Sequence, residues 1–173
     1  MASIARCLRT ARPSAVSAVI RSPVHRTIAV RPFSVTAANE IRKYTKEHEW
    51  IDLSADKKTG VIGISEYAAK SLGDIVYVEL PTEGKDFKAG DTIGAVESVK
   101  SAADINAPIT CKITQTNVLL EDQPGTVNKV AEDDSHGGGW IAKVQVTEEG
   151  LKELDDLMDQ DAYNEFTATE GEH

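Results

Sequence analysis

Gly94-Ala-Val-Glu97-Ser-Val-Lys100-Ser-Ala-Ala-Asp104-Ile-Asn-Ala-Pro108-Ile109 is the stretch on which the fold turns. One strand leads up to Lys100 and another leads away, with Ser98 and Ser101-Ala-Ala103 crowding the bend. A lysine at the tip of such a hairpin is held outward with little bulk around it. Position alone says little, since most hairpin lysines are solvated charges. The pattern adds more: an acid three residues before the lysine, a β-branched residue beside it and small residues after it.

Working outward, the flanks read mostly as strands. Glu49–Leu53 and Gly60–Ile64 form a strand pair across a polar turn at 54–59. Ser65–Leu72 reads as a short helix, with Ser65 as its cap and Gly73 ending it in the left-handed conformation. Ile75–Leu80 is expected to place Val76, Val78 and Leu80 on one face, before Pro81 and Gly84 break the strand. Thr92–Ser98 follows. A strand opening at Asn106 carries Ile109, Cys111 and Ile113 inward, and Gln123-Pro124-Gly125 is a turn. Trp140–Val146 alternates as a half-buried strand. Thr147 then opens a closing helix whose Leu151, Leu154, Leu157 and Met158 form a stripe against the sheet. The expected fold is mainly β, a flattened barrel or sandwich of antiparallel sheets with a short internal helix and a C-terminal helix.

Charge divides the 173-residue chain unevenly. Residues 1–39 carry six arginines (Arg6, Arg9, Arg12, Arg21, Arg26, Arg31), several serines and no Asp, Glu or Lys. That composition marks a mitochondrial transit peptide, expected over 1–40. Arg31-Pro-Phe33-Ser-Val-Thr36 resembles a processing site and places cleavage within 32–41. From Ile41 onward 13 basic residues face 27 acidic ones, a net charge of −14. The expected body runs over 41–166, with 167–173 as a polar tail. Its acidity argues against nucleic acid as a partner, and no apolar run reaches the ~20 residues of a membrane span. Cys7 leaves with the leader, so Cys111 stands alone and no intramolecular disulfide is expected.

Other chemistries fail on spacing. His136-Gly-Gly-Gly139 resembles the oxyanion loop of some lipases, but the chain lacks the Gly-x-Ser-x-Gly elbow that such a loop serves. Glu47-His48-Glu49 and Asp133-Asp134-Ser135-His136 gather metal-ligand types without a metal-binding spacing. Cys111, on an inward face with no basic neighbour there, reads as core rather than nucleophile.

The lysine hairpin resembles the lipoylation site of the glycine cleavage system H protein family. His48-Glu49-Trp50, Gly63-Ile64-Ser65, Leu72-Gly73-Asp74-Ile75-Val76, Val78-Glu79-Leu80-Pro81, Pro124-Gly125 followed by Asn128, and Gly139-Trp140-Ile141 match the family in its order, over roughly residues 43–165. The resemblance implies the lipoyl-carrier hammerhead fold and a carrier rather than an enzyme, with lipoic acid in amide linkage on Lys100. It implies that Glu97 and Val99 are read by a lipoylating enzyme, and that Glu49 and Asp104 line a pocket shielding the loaded arm from water. The implied partners are a glycine decarboxylase using pyridoxal phosphate, an aminomethyltransferase using tetrahydrofolate and a dihydrolipoamide dehydrogenase using FAD, in the mitochondrial matrix.

Cys111 stands where the family usually has Gly, and Val130–Gly138 is more acidic and lacks the usual Pro-aromatic pair. Other readings remain open from sequence. A lipoyl domain of a 2-oxoacid dehydrogenase would have Asp, not Val99, before the lysine, and a biotin carrier would flank it with methionines. An acidic β-domain with no cofactor, or an H-like protein relaying lipoyl groups to other enzymes, also stays open.

Overall fold

Nine antiparallel strands build the molecule in the computed structural model, which describes residues 41–170. They are β1 (Ile41–Tyr44), β2 (Glu49–Leu53), β3 (Thr59–Ile64), β4 (Ile75–Glu79), β5 (Asp86–Phe87), β6 (Thr92–Ser98), β7 (Ala102–Asn106), β8 (Cys111–Thr116) and β9 (Ala142–Val146). One sheet has six strands in the order β1-β2-β3-β9-β8-β5, and the other has three, β4-β6-β7. The helices are α1 (Glu66–Leu72), α2 (Leu119–Asp122), α3 (Thr126–Val130), α4 (Glu148–Glu153) and α5 (Gln160–Glu170). The mainly β, antiparallel two-sheet architecture is the expected one.

The alternating apolar residues explain the layers. Ile51, Leu53 and Ile62 from the large sheet join Val78, Val96 and Ile105 from the small one, with Ile109, Ile113 and Val144, in one buried cluster. Burying each such side chain contributes roughly 1.5–3 kcal/mol. All five residues of β2 are buried, so both its faces are covered. A second cluster of Tyr44, Trp50, Trp140 and Tyr163 lies against Met158 and Phe166. Trp50 Nε1 donates to Ile64 O at 2.8 Å. Its ring lies over Gly63, its cross-strand partner, where a β-carbon would come within 2.6 Å of Trp50 Cζ2.

Several expectations need correction. A β-bulge between Ile75 and Tyr77 shifts β4, so Ile75 and Val78 are buried while Val76 is 53% exposed. The strand expected from Asn106 begins only at Cys111. Pro108 has no N–H to give a ladder, and the corner before Cys111 is held from the side. Glu153 accepts from Thr110 N at 2.6 Å and Thr110 Oγ1 at 2.9 Å, and Thr147 Oγ1 donates to Thr110 O. The short helices α2 and α3, on either side of Pro124-Gly125, were not expected.

The closing helix is also interrupted. Thr147 caps α4 as expected, but the chain turns extended at Leu157. Met158 then pairs with the edge of β1, exchanging both backbone hydrogen bonds with Tyr44 at 2.8 and 2.9 Å. Leu154 is buried and Leu151 is 39% exposed, so the four-residue stripe is not one packed face. Helix α5 continues through Glu170, into the stretch expected as tail. Phe166 packs on the aromatic cluster, and Thr167 Oγ1 donates to Tyr163 O. Gly73 takes φ +79° with ψ −151°, positive in φ as the helix stop requires but outside the left-handed helical region.

Candidate functional site

The β6–β7 hairpin pairs Glu97 with Ala102, Val96 with Ala103 and Ala95 with Asp104. Only Val99 and Lys100 lie beyond the residues that close it. Ser98 N donates to Ser101 O at 2.7 Å. The Ser98 hydroxyl accepts from Lys100 N at 3.3 Å and Ser101 N at 3.0 Å, and donates to Ser101 O at 3.0 Å. The small residues around the lysine therefore make the tight end: a hydroxyl substitutes for the missing ladder bonds. Lys100 is exposed and makes no salt bridge among the described residues.

The tip does not stand free of the body. Val99 N donates to Asp74 O at 3.1 Å, and the Lys100 side chain lies across Gly73. The loop between α1 and β4 is thus a shelf beneath the lysine. Asn128 of α3 holds that shelf. Its Oδ1 accepts from Ile75 N at 2.9 Å, and its Nδ2 donates to Gly73 O at 2.7 Å and Ala69 O at 3.3 Å. Sequence reasoning missed this support. The only signal for it was the presence of Gly73 and Asn128 among the matched motifs.

The other sequence-named residues fall in different surroundings. Glu97 is exposed on the outer face of the small sheet, between Tyr77 and Ala102. Val99 is 77% exposed beside the lysine. Asp104 is on the same outer face as Glu97, across Ala95 from Glu79, and lines a hollow of about 230 Å³. Glu49 is only 1% exposed. Its Oε1 accepts from Asn106 N at 2.9 Å and its Oε2 from the Thr45 hydroxyl. It lines a separate groove of about 300 Å³ with Asn106, Lys46 and Met158. The two carboxylates do not share a hollow.

The discarded chemistries look different in three dimensions too. Glu47-His48-Glu49 is split: His48 has φ +73° and turns its ring to Tyr163 and Glu170, while Glu49 points inward. Among the described residues no group of three or more His, Cys, Asp or Glu is arranged to hold a metal. Cys111 is fully buried, and burial, with the negative charges of Glu153 and Asp86, pushes its thiol up to about 12. No described helix is long and apolar enough to cross a membrane. The arrangement is therefore a display site: one primary amine on a stiff two-residue loop beside an acidic sheet face.

Comparison with known proteins agrees with this geometry. The pattern of the family described as "Glycine cleavage H-protein" matches residues 42–170. A glycine cleavage system H protein of Thermotoga maritima is 44% identical over 131 residues, covering 76% of this chain and 99% of its own. Glycine cleavage system H protein 2, mitochondrial, of Arabidopsis thaliana is 38% identical over 151 residues, 87% of this chain and 91% of its own. The crystal structure of an H protein from Mycobacterium marinum superposes with a TM-score of 0.61 at 33% identity, over 76% of this chain and 98% of that one. A hairpin lysine on a two-sheet body, matched from β1 to the last helix, places this chain in the glycine cleavage H-protein family.

Proposed function

We propose that this protein is the lipoyl-bearing carrier of a glycine cleavage system, with lipoic acid in amide linkage to Lys100 Nζ. The observation that carries the reading is Lys100, exposed and without an ion pair among the described residues, at the end of a loop only two residues long. The site fits the group. Acylation removes the lysine charge without breaking an ion pair among the described residues, and the missing side chain of Gly73 leaves room for the Lys100 Cδ and Cε methylenes that lie against it. When bound, the lipoyl group supplies a disulfide–dithiol couple that takes up and releases an aminomethyl group and two electrons.

The chain itself supplies reach, address and shelter. About a dozen bonds, each advancing ~1.25 Å, carry the arm's end roughly 14 Å from the backbone. Glu97 and Val99, exposed on either side of Ser98, are what the lipoylating enzyme reads. The exposed Asp104 offers its carboxylate to the cationic amine at the end of the loaded arm, and Glu49 would do so only by giving up a contact to Asn106 N or Thr45. A strand advances ~3.3 Å per residue, so Asp104 lies at most about 13 Å along β7 from Lys100, within reach. Asn106, which Glu49 binds, lies at most about 20 Å away by the same measure. Asp104 is therefore the arm's first contact, whereas the bound of about 20 Å for Asn106 exceeds the roughly 14 Å that the arm spans.

As a carrier, the protein performs no catalysis. Its partners are the glycine decarboxylase with pyridoxal phosphate, the aminomethyltransferase with tetrahydrofolate and the dihydrolipoamide dehydrogenase with FAD. A lipoylating enzyme loads it, and nucleic acid has no place in the cycle. We place it in the mitochondrial matrix, with 1–40 as the transit peptide. The Arg-rich, acid-free leader supports this. So does the Arabidopsis match, whose 151 residues exceed the 133 that lie between Ile41 and His173 and so run into that leader.

Reconstitution with the three partner enzymes tests the function. Lys100→Arg is expected to abolish glycine-dependent aminomethyl transfer while leaving thermal unfolding unchanged. Retained transfer would overturn the reading.

A further inference from the structure

We propose that Asn128 is a positioning residue for the modification of Lys100, acting through the Gly73–Asp74 shelf; this rests on Lys100 being the lipoyl attachment site. The Asn128 amide spends its acceptor on Ile75 N and both donor contacts on Gly73 O and Ala69 O. Three contacts on one planar group fix its orientation and hold together the end of α1, the loop and the start of β4. The loop in turn makes the two contacts that locate the tip: Asp74 O takes the Val99 N–H, and Gly73 carries the lysine methylenes. No other hydrogen bond to the Val99–Lys100 loop comes from outside the hairpin among the described residues. The hairpin's own bonds set its shape and the spacing of Glu97 and Val99 from the lysine, and the clamp sets where the tip points relative to the Gly73–Asp74 shelf and the exposed Val76 of β4.

An enzyme that modifies one lysine must find the amine and its landmarks in a fixed relation. In the transfer, Lys100 Nζ gives up a proton and attacks the activated carboxyl carbon of lipoyl-adenylate. The new C–N bond replaces the C–O bond to phosphate, and AMP leaves. Nothing in Asn128 touches these atoms. If the tip wanders, the recognisable arrangement is populated for a smaller fraction of time. The apparent affinity falls by that fraction while the chemical step, once engaged, is unchanged.

The test uses the full-length chain without lipoate, a lipoate–protein ligase and lipoyl-adenylate, with intact mass as the rate readout. Wild type gains one lipoyl increment on Lys100. Asn128→Ala is expected to raise KM for the protein about tenfold with kcat within twofold, the signature of a reduced competent population. Asn128→Asp, the same size but with an acceptor facing two carbonyls, is expected to do the same. Native-state amide exchange supplies a second readout. The Val99 amide is expected to lose protection in both variants while the β6–β7 ladder amides keep theirs. Wild-type KM with wild-type Val99 protection in a folded variant overturns the clamp alone. A uniform loss of protection across the ladder also overturns it, since it makes Asn128 merely structural. No lipoyl increment on the wild-type chain overturns the carrier reading and the clamp with it.

Discussion

Gly73 lies directly beneath Lys100: a β-carbon built on Gly73 would sit 3.1 Å from Lys100 Cε and 3.6 Å from Nζ. Residues 27 positions apart in sequence thus meet at the display site, and the meeting requires both the missing side chain and the unusual backbone of Gly73, φ +79° and ψ −151°.

Gly73→Ala is expected to cost about 1–3 kcal/mol through the backbone alone, because this conformation is nearly closed to other residues. It also displaces the lysine methylenes. Denaturant melts should show the loss, and the rate of Lys100 lipoylation should fall in the variant at temperatures where it remains folded. A variant of unchanged stability and unchanged lipoylation rate would contradict the placement.

Asp104→Asn removes the carboxylate proposed as the arm's first contact. Release of the aminomethyl group to water from loaded protein is expected to speed up by about tenfold, equivalent to the ~1.4 kcal/mol of a modest charge-assisted contact. Following ammonia release after removal of the aminomethyltransferase checks this, and an unchanged rate would take Asp104 out of the pocket. Glu49→Gln should act differently. Its carboxylate holds Asn106 N and Thr45, so a loss of stability of roughly 1–3 kcal/mol is expected alongside any change in that rate.

The Tyr163 phenol bonds Ser65 and His48 and stacks on Tyr44 with ring centroids 4.2 Å apart. Burial pushes it up to about 12, from an ordinary 10.0, with Glu132, Glu170 and Tyr67 adding to the shift and the Ser65 hydrogen bond opposing it. The folded chain therefore holds this proton more tightly than the unfolded chain. The associated stability is whole below pH 10 and drains away as pH rises towards 12. Urea midpoints should fall across that window in wild type and fall less in Tyr163→Phe. Equal slopes would remove Tyr163 as the responsible group.

Cys111 should be chemically silent in the native protein. With its thiol pushed up to about 12 by burial, at pH 8 it presents almost no thiolate. Iodoacetamide is expected to label Cys111 only after unfolding. Labelling at native rates typical of a free thiol would show that β8 opens or that the residue is not buried.

What could be read in advance followed local rules. The Lys100 hairpin was legible because small residues, a strand on each side and one charged tip residue are all contiguous in sequence. The β2–β3 pair and the Ser65 cap were legible for the same reason: Ser65 Oγ accepts from Ala68 N three residues on. What escaped depends on distant partners. The bulge at Ile75–Tyr77 is a shift in the register of β4 against β6, a partner about 20 residues on. The late start of β8 follows from Glu153 and Thr147 reaching Thr110 across the fold. The break at Leu157 follows from Met158 joining β1. The burial of Glu49 escaped because strand alternation cannot reveal that both faces of β2 are covered. The Asn128 clamp joins three segments that no short window contains.

The most direct test of the carrier account is peptide mass spectrometry across residues 89–112 of protein purified from its native source. The account predicts a single lipoyl increment on Lys100 and an unmodified Lys112. An unmodified Lys100, in an extract where other lipoyl proteins carry their group, would contradict it.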